Sequence, residues 1–326
     1  MKILVTGGCG FIGSNFIRHV LKARPEWKVV NLDLLTYAGN PDNVRDLDHI
    51  TTRYTFIRGD IASADDVDAA IGLGIDAIVN FAAESHVDRS ISGPEQFVRT
   101  NVMGTAVLLE AARQNNINRF LQISTDEVYG SLPPEGVFTE TTPLHPNNPY
   151  SATKAAADHL VLAYVHTYGL PALITRSSNN YGPYQYPEKF IPLFITQAME
   201  GKECPLYGSG ANIRDWLHVE DNCRGILAAL EHGYSGDVIN LGGGNERANL
   251  DVANEILLLV GNPKAKIRLV QDRPGHDLRY ALSSKKAKDL LGWKPEILFS
   301  DGLQQTVHWY KQNQDWINKI RFRKNH

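Results

Sequence analysis

Three neighbouring side chains, Thr125, Asp126 and Glu127, stand where the apolar run Phe120–Ile123 stops. Two carboxyls side by side in one site can be driven to different pKa values, one serving as acid and the other as base. Further along, Tyr150 and Lys154 have the four-residue spacing that puts both on one face of a helix. Of the 13 tyrosines, only Tyr150 has a lysine at that offset. An ammonium beside a phenol, aided by an oxidised nicotinamide, favours phenolate and makes the pair a workable base. Read alone, each pattern also has a plainer meaning. Thr125–Glu127 would cap the turn that follows, and Tyr150 with Lys154 would be an exposed helix pair.

The elements that must position these groups are legible around them. Lys2–Thr6 reads as a short buried strand, and Gly7, Gly10 and Gly13 follow it, ahead of an amphipathic helix from about Phe11 to Lys22. Glycines there let the backbone turn tightly and approach a pyrophosphate, whose charge a helix N-terminus favours. The spacing is G-x-x-G-x-x-G, not the usual G-x-G-x-x-G. A second strand, Lys28–Leu32, ends in Asp33, 20 residues after Gly13. An acid at that point accepts from ribose hydroxyls and repels a 2′-phosphate; otherwise it is an exposed turn residue. A third strand, Tyr54–Arg58, ends in Gly59-Asp60-Ile61, suited to line an adenine pocket. A fourth, Asp76–Phe81, ends in Ala82-Ala83-Glu84-Ser85, small enough for a cofactor to pass close to the backbone.

Strands alternating with helices predict an α/β fold, a doubly wound parallel (Rossmann-type) sheet with its site beyond the carboxyl ends of the strands. The expected division is a dinucleotide-binding domain over 1–180 and a smaller α/β substrate domain over 181–326. Gly236–Leu241 looks like a strand able to return to the sheet. Helices are expected over Pro94–Asn115 and Tyr150–Thr167, and a strand over Ala172–Arg176. The Pro- and Asn-rich stretch Pro133–Pro149 reads as a loop over the site. The second half also carries Lys189, Arg214, Arg273 and His276. Facing the cleft, they would hold a diphosphate; on the surface they need no explanation.

Composition narrows the class. A chain of 326 residues exceeds the usual single domain of roughly 100–200, so one large or two fused domains sharing a cleft are expected. With 33 basic and 36 acidic residues the net charge is −3, which gives no electrostatic footprint for nucleic acid. Cys9, Cys204 and Cys223 are widely spaced and form no C-x-x-C, which fits a reducing cytoplasm and argues against a disulfide framework or a zinc site, and no metal is expected. Residues 1–13 run straight into a strand and a glycine turn, so no signal peptide is expected. No apolar run reaches the roughly 18 residues that span a bilayer, and no membrane partner is expected.

Nearly the whole chain resembles the extended short-chain dehydrogenase/reductase family of nucleotide-sugar enzymes. The resemblance rests on TGGCGFIG (6–13), DLLTYAGN (33–40), AAESHVDRS (82–90), STDEVYG (124–130), YSATK (150–154), NNYGPYQYPEKFIP (179–192), IRDWLHVED (213–221) and DRPGHDLRYA (272–281). The Thr-Asp-Glu triplet and the RPGHD segment are its specific parts. Leu34 departs from the pattern, since many members carry Lys there.

The resemblance implies a bound NAD, a dTDP-glucose substrate, a homodimer joined through two helices per subunit, and a redox-neutral dehydration. In that reading Tyr150 takes the C4 hydroxyl proton, Lys154 stabilises the phenolate, Thr125 bonds the C4 oxygen, Glu127 removes the C5 proton and Asp126 protonates the departing C6 hydroxyl. The cofactor would meet Gly7, Gly10, Phe11, Ile12, Gly13, Asp33, Leu34, Leu35, Thr36, Asp60, Ile61, Phe81, Ala82, Ala83, Ser85, Thr100, Tyr150, Lys154 and Asn180. The substrate would meet Ser85, Thr125, Asn179, Lys189, Phe190, Pro205, Leu206, Tyr207, Arg214, Asn249, Arg273 and His276. Two alternatives share the scaffold: an NAD-dependent nucleotide-sugar 4-epimerase, which has no use for the acid–base pair, and a non-catalytic NAD-binding regulator. Thymidine rather than uridine comes from the resemblance alone, as one methyl is worth about 1–3 kcal/mol. The residues do not choose between a rhamnose pathway and another deoxysugar pathway downstream.

Overall fold

Short aliphatic runs form the strands Lys2–Thr6 (β1), Lys28–Asp33 (β2), Tyr54–Arg58 (β3), Ala77–Asn80 (β4), Arg119–Thr125 (β5) and Ala172–Ser177 (β6). All but β3 are largely buried, as strands covered on both faces must be. In the second half come Asn179–Tyr181 (β7), Glu203–Tyr207 (β8), Ile213–His218 (β9), Val238–Leu241 (β10), Glu246–Ala248 (β11) and Lys266–Val270 (β12). The computed structural model describes residues 1–47, 49–50, 52–272 and 276–324.

Seven strands make one parallel sheet in the order β10-β6-β5-β4-β1-β2-β3. The order reverses between β1 and β4, and at such a reversal a crevice opens beyond the carboxyl ends of the strands. One face is covered by helices Phe11–Ala23 and Val219–His232, which bury Phe16, Ile17, Val20, Ile226 and Leu230 in one apolar core. The other face is covered by Ala64–Ile71, Thr105–Gln114 and Pro149–Tyr168, which bury Val67, Leu108 and Val161 in a second. This is the doubly wound α/β sheet that the alternating pattern predicts. A third core, with Phe194, Ile256 and Val307, lies in the second half among helices Phe190–Met199, Asn249–Val260 and Phe299–Gln312. Two small sheets, β11-β9-β7 and β12-β8, accompany it. One edge strand of the large sheet, β10, comes from this half of the chain and pairs with β6.

The helix Pro149–Tyr168 is set by local chemistry at both ends. Asn148 accepts from the Ser151 N–H while the Asn148 N–H donates to Ser151 Oγ, Pro149 opens the first turn, and Gly169 at φ +66° ends it.

Two expectations are revised. The helix expected over Pro94–Asn115 is broken into Pro94–Phe97, a π-helical segment Val98–Gly104, and Thr105–Gln114. Gly104 lies so close to Ile61 that a Cβ would sit 2.6 Å from its Cδ1, and the Thr105 hydroxyl takes the Asn101 carbonyl at 2.7 Å. The helix widens where these contacts hold it. The loop Pro133–Pro149 does not cover the cleft. It is tied to the later segment 279–283, with the Phe138 N–H on the Ala281 carbonyl at 2.9 Å and the Arg279 guanidinium on the carbonyls of Pro133 and Gly136.

The last helix, Gln314–Lys324, returns to the first half. Trp316 Nε1 donates to Asn43 Oδ1 at 2.8 Å, and Asn43 Nδ2 donates to the Cys9 carbonyl in the glycine turn at 2.9 Å. No described helix is long and apolar enough to cross a membrane.

Candidate active site

Backbone geometry makes the first wall of the site. Gly7 has φ +68°, and a Cβ on it would lie 2.7 Å from the backbone of Ala82. At Gly13 a Cβ would come 2.4 Å from the Gly7 carbonyl oxygen. Only glycine builds this turn. It leaves Gly7, Gly10, Phe11, Ile12 and Gly13 along a cleft of about 310 Å³. Asp33, at the end of β2, lies in the same wall; its Oδ2 accepts from the Cys9 N–H and its Oδ1 from the Leu35 N–H, both at 2.8 Å. Burial pushes its carboxyl up, and the two N–H bonds oppose that. Leu34, Thr36, Asp60, Ile61, Phe81, Ala82, Ala83, Ser85, Thr100 and Asn180 also line the cleft. Leu35 does not. Its φ is +60°, and its side chain packs against the core beneath the glycine turn. A glycine cradle that a Cβ would fill, a helix N-terminus and a carboxylate at the second strand form a donor and acceptor set that fits a dinucleotide.

The second wall carries the reactive groups, and Thr125, Asp126, Glu127, Tyr150 and Lys154 all line the same cleft. Asp126–Tyr129 is a single 3₁₀ turn at the end of β5, and the Thr125 hydroxyl accepts from the Glu127 N–H at 3.3 Å. The cap that the triplet could form is therefore real, and the carboxyls face the cleft as well. The Thr125 hydroxyl also donates to Asp126 Oδ1 at 3.2 Å and is bonded to the Tyr150 hydroxyl. Asp126 is buried and its Oδ2 has no protein partner. Burial first, then the charges of Glu127 and Asp215, push its carboxyl well above the usual range, against Thr125 and Arg214. The shift favours the protonated form of Asp126, the form a general acid needs.

Lys154 is buried with its Nζ on the Ile123 carbonyl at 2.6 Å, and burial lowers its pKa to about 8 while Asp158 opposes the change. The Tyr150 phenol is pushed well above its ordinary value by burial, Glu127 and Asp126. In the protein by itself the phenol is therefore held protonated, and further positive charge in the cleft is required to make it a base.

The residues expected at the substrate divide. Ser85, Thr125, Asn179 and Lys189 line the cleft, with Lys189 Nζ on the Ser85 carbonyl at 2.8 Å and Asn179 Oδ1 buried without a protein partner. Phe190, Pro205, Leu206, Tyr207, Arg214, Asn249 and His276 lie outside that lining, in the second half. There the Phe190 ring stacks on Trp216 at 6.0 Å, and the Tyr207 ring meets His276 edge-on at 6.1 Å. His276 Nδ1 is 2.6 Å from Asp272 Oδ1. Arg214 gives its guanidinium to the carbonyls of Ile213 and Asp277 and lies close enough to Asp126 to weigh on it. Arg273 lies outside the described residues.

The cleft also contains groups that the motif reading did not assign, among them Tyr37, Glu84, Ser124, Gln185 and Tyr186. The signal for Glu84 was present, as a lone carboxyl in a run of small residues. Tyr37 stands out by its setting: the Arg89 guanidinium lies 3.8 Å from its ring centroid, and Tyr186 meets it edge-on at 5.6 Å.

The fold and this arrangement define a short-chain dehydrogenase/reductase of the nucleotide-sugar kind. Within that class the chain belongs to the GDP-mannose 4,6 dehydratase family, whose description matches residues 4–306. It is 52% identical over 325 residues to a dTDP-glucose 4,6-dehydratase of Streptomyces niveus, with 98% of this chain and 96% of the relative covered. A low-salt glycan biosynthesis protein of Haloferax volcanii is 54% identical over 311 residues, covering 95% and 98%. The crystal structure of a dTDP-glucose 4,6-dehydratase from Streptomyces venezuelae, with NAD bound, has a TM-score of 0.95 to this chain at 48% identity, covering 98% and 100%.

Proposed function

We propose that this chain is an NAD-dependent hydro-lyase that converts dTDP-glucose to dTDP-4-keto-6-deoxy-glucose. The observation that carries the reading is the buried carboxyl of Asp126, whose Oδ2 has no protein partner, next to Glu127 on the same cleft wall as Tyr150 and Lys154. An epimerase needs the last two and not the first two. The roughly 50% identity to dehydratases over nearly the full length supports the same choice and the thymidine nucleotide.

The glycine cradle and Asp33 would hold NAD, which when bound would supply a reversible hydride acceptor for C4 and C6 and positive charge in the cleft. Tyr150 removes the C4 hydroxyl proton, and Lys154 holds the resulting phenolate. Thr125 bonds the C4 oxygen. The C4 ketone makes the C5 proton acidic, because the carbanion is delocalised into it. Glu127 takes that proton and Asp126 gives its own to the departing C6 hydroxyl, so one water leaves. C5 is reprotonated at the end, and the overall change is redox-neutral. Positioned acids and bases of this kind contribute roughly 10²–10⁴-fold each.

The chain works as a homodimer in this reading. Val98 and Met103 are large apolar residues left exposed between Pro94 and Gln114, and the helix Pro149–Tyr168 is packed against that segment. Three free, buried cysteines suit a reducing cytoplasm. The test is mass spectrometry of dTDP-glucose incubated with purified protein and no added NAD. Loss of one water supports the proposal, together with retention of the cofactor. An unchanged mass with inverted C4 marks an epimerase, and no turnover of any nucleotide sugar marks a regulator.

A further inference from the structure

Asp126 and Glu127 stand on a turn after β5, whereas Tyr150 and Lys154 stand on the helix Pro149–Tyr168, and the irregular segment 131–148 joins them. A reaction that oxidises C4 and then eliminates across C5 and C6 needs both pairs at a fixed distance from one sugar. The connecting loop joins them on one side, with the His145 N–H on the Val128 carbonyl at 3.1 Å and Asn148 capping the helix. A buried polar row behind the cleft joins them on the other.

Ser124, Arg176 and Asn240 occupy one register line across β5, β6 and β10, and each is at most 4% exposed. Arg176 is the centre of the row. Its Nε donates to Asp158 Oδ2 at 2.8 Å, and its Nη1 donates to the Tyr129 hydroxyl at 2.9 Å. The Tyr129 hydroxyl donates to Asn240 Oδ1 at 2.9 Å, and Ser124 Oγ donates to the same Asp158 oxygen at 3.0 Å. Asp158 is fully buried one helical turn beyond Lys154, and Tyr129 closes the turn that begins with Asp126.

We infer that Arg176 is a positioning residue, which clamps the turn through Tyr129 and the helix through Asp158 to one point on the sheet, and so sets the separation between the redox pair and the elimination pair. The inference rests on the residue roles proposed above. A guanidinium suits the task because its planar fork donates in two fixed directions, whereas an ammonium is a point charge. The guanidinium also lies 4.9 Å from the Tyr129 ring centroid, so the aromatic arm is held by its face as well as its hydroxyl. Asp158 neutralises the arginine and its charge favours the Lys154 ammonium against burial.

Two conservative variants each cut one arm. Tyr129→Phe keeps the ring and loses the hydroxyl; Asp158→Asn keeps the shape and loses the charge. Both are assayed as holoenzymes with dTDP-glucose in deuterated buffer, following cofactor reduction, C5 hydrogen exchange and water loss separately. Melting temperature and bound NAD are checked first. Tyr129→Phe is expected to reduce cofactor at close to the wild-type rate while C5 exchange and water loss fall roughly 10–100-fold, the scale of an ångström-level misplacement. Asp158→Asn is expected to slow cofactor reduction itself. Equal slowing of both steps in both variants, or wild-type exchange in Tyr129→Phe, overturns the inference. Glu127→Gln in the same assay separates the two levels: if it leaves C5 exchange unchanged, the assignment of acid and base has failed, whatever Tyr129→Phe does.

Discussion

Lys154 reaches back from its helix to donate to the carbonyl of Ile123 at 2.6 Å, one strand residue before Ser124. The ammonium is thereby held at the carboxyl end of β5, where it is almost wholly buried. Burial lowers its pKa to about 8. Its charge is present below that value and is lost as pH rises through it. Turnover of the holoenzyme is therefore expected to fall on the alkaline side with a limb near pH 8. Lys154→Met should lose about 10²–10⁴-fold at neutral pH. A kcat profile flat to about pH 10, near the ordinary lysine value, would show that the charge is not required.

Asp126 has the opposite behaviour. Burial and the neighbouring charges raise its carboxyl, so it keeps its proton to higher pH than an ordinary aspartate does. Asp126→Asn removes a donatable proton without changing shape, and Glu127→Gln removes the base. Both variants are expected to slow elimination by roughly 10²–10⁴-fold while some C4 oxidation survives, visible as a reduced cofactor that persists after mixing with substrate. Wild-type dehydration rates in both variants would falsify the pairing.

Asp33 already takes two backbone N–H bonds, so it is held rigidly before any ligand arrives. Asp33→Ala removes both the ribose acceptor and the charge that repels a 2′-phosphate. NAD affinity is expected to fall about 10–100-fold, the worth of a hydrogen bond to a charged group, and the preference for NAD over NADP should shrink with it. Titration of the two cofactors against apo-protein measures this. An unchanged preference would move the discrimination elsewhere in the cleft.

Trp316 and Asn43 link the last helix to the glycine turn. Trp316→Phe keeps most of the packing and removes the indole donor. The expected cost is about 0.5–1.5 kcal/mol in stability, with faster loss of bound NAD on dilution. Both are read from one set of samples, by thermal melting and by cofactor retained after gel filtration. Unchanged retention would make the contact a matter of stability alone.

The sheet and the first wall of the site were legible because their chemistry is local. A glycine turn, an acid at the end of the next strand and apolar runs of fixed length each announce themselves within a few residues. The i, i+4 relation of Tyr150 and Lys154 is of the same kind. The second half was legible only through its resemblance to a family, because Phe190, Leu206, Arg214 and Asn249 share no spacing. They are brought towards one region by a third core whose members are scattered over more than a hundred residues. The break in the helix after Phe97 was hidden for a related reason: it depends on Ile61, a residue far away in the chain. The polar row was hidden too, since Ser124, Arg176 and Asn240 become neighbours only through strand register.

The side chain that braces the glycine turn is itself held by a residue 273 positions further on. On a translating ribosome the turn emerges long before the tryptophan does. Contacts of such separation pay their loop-closure entropy late, and domains fold in the order in which they are made. A nascent chain can therefore assemble most of its parallel sheet before its first turn acquires its final support. Synthesis of the helix that carries Trp316, rather than formation of the sheet, is the event that braces the turn.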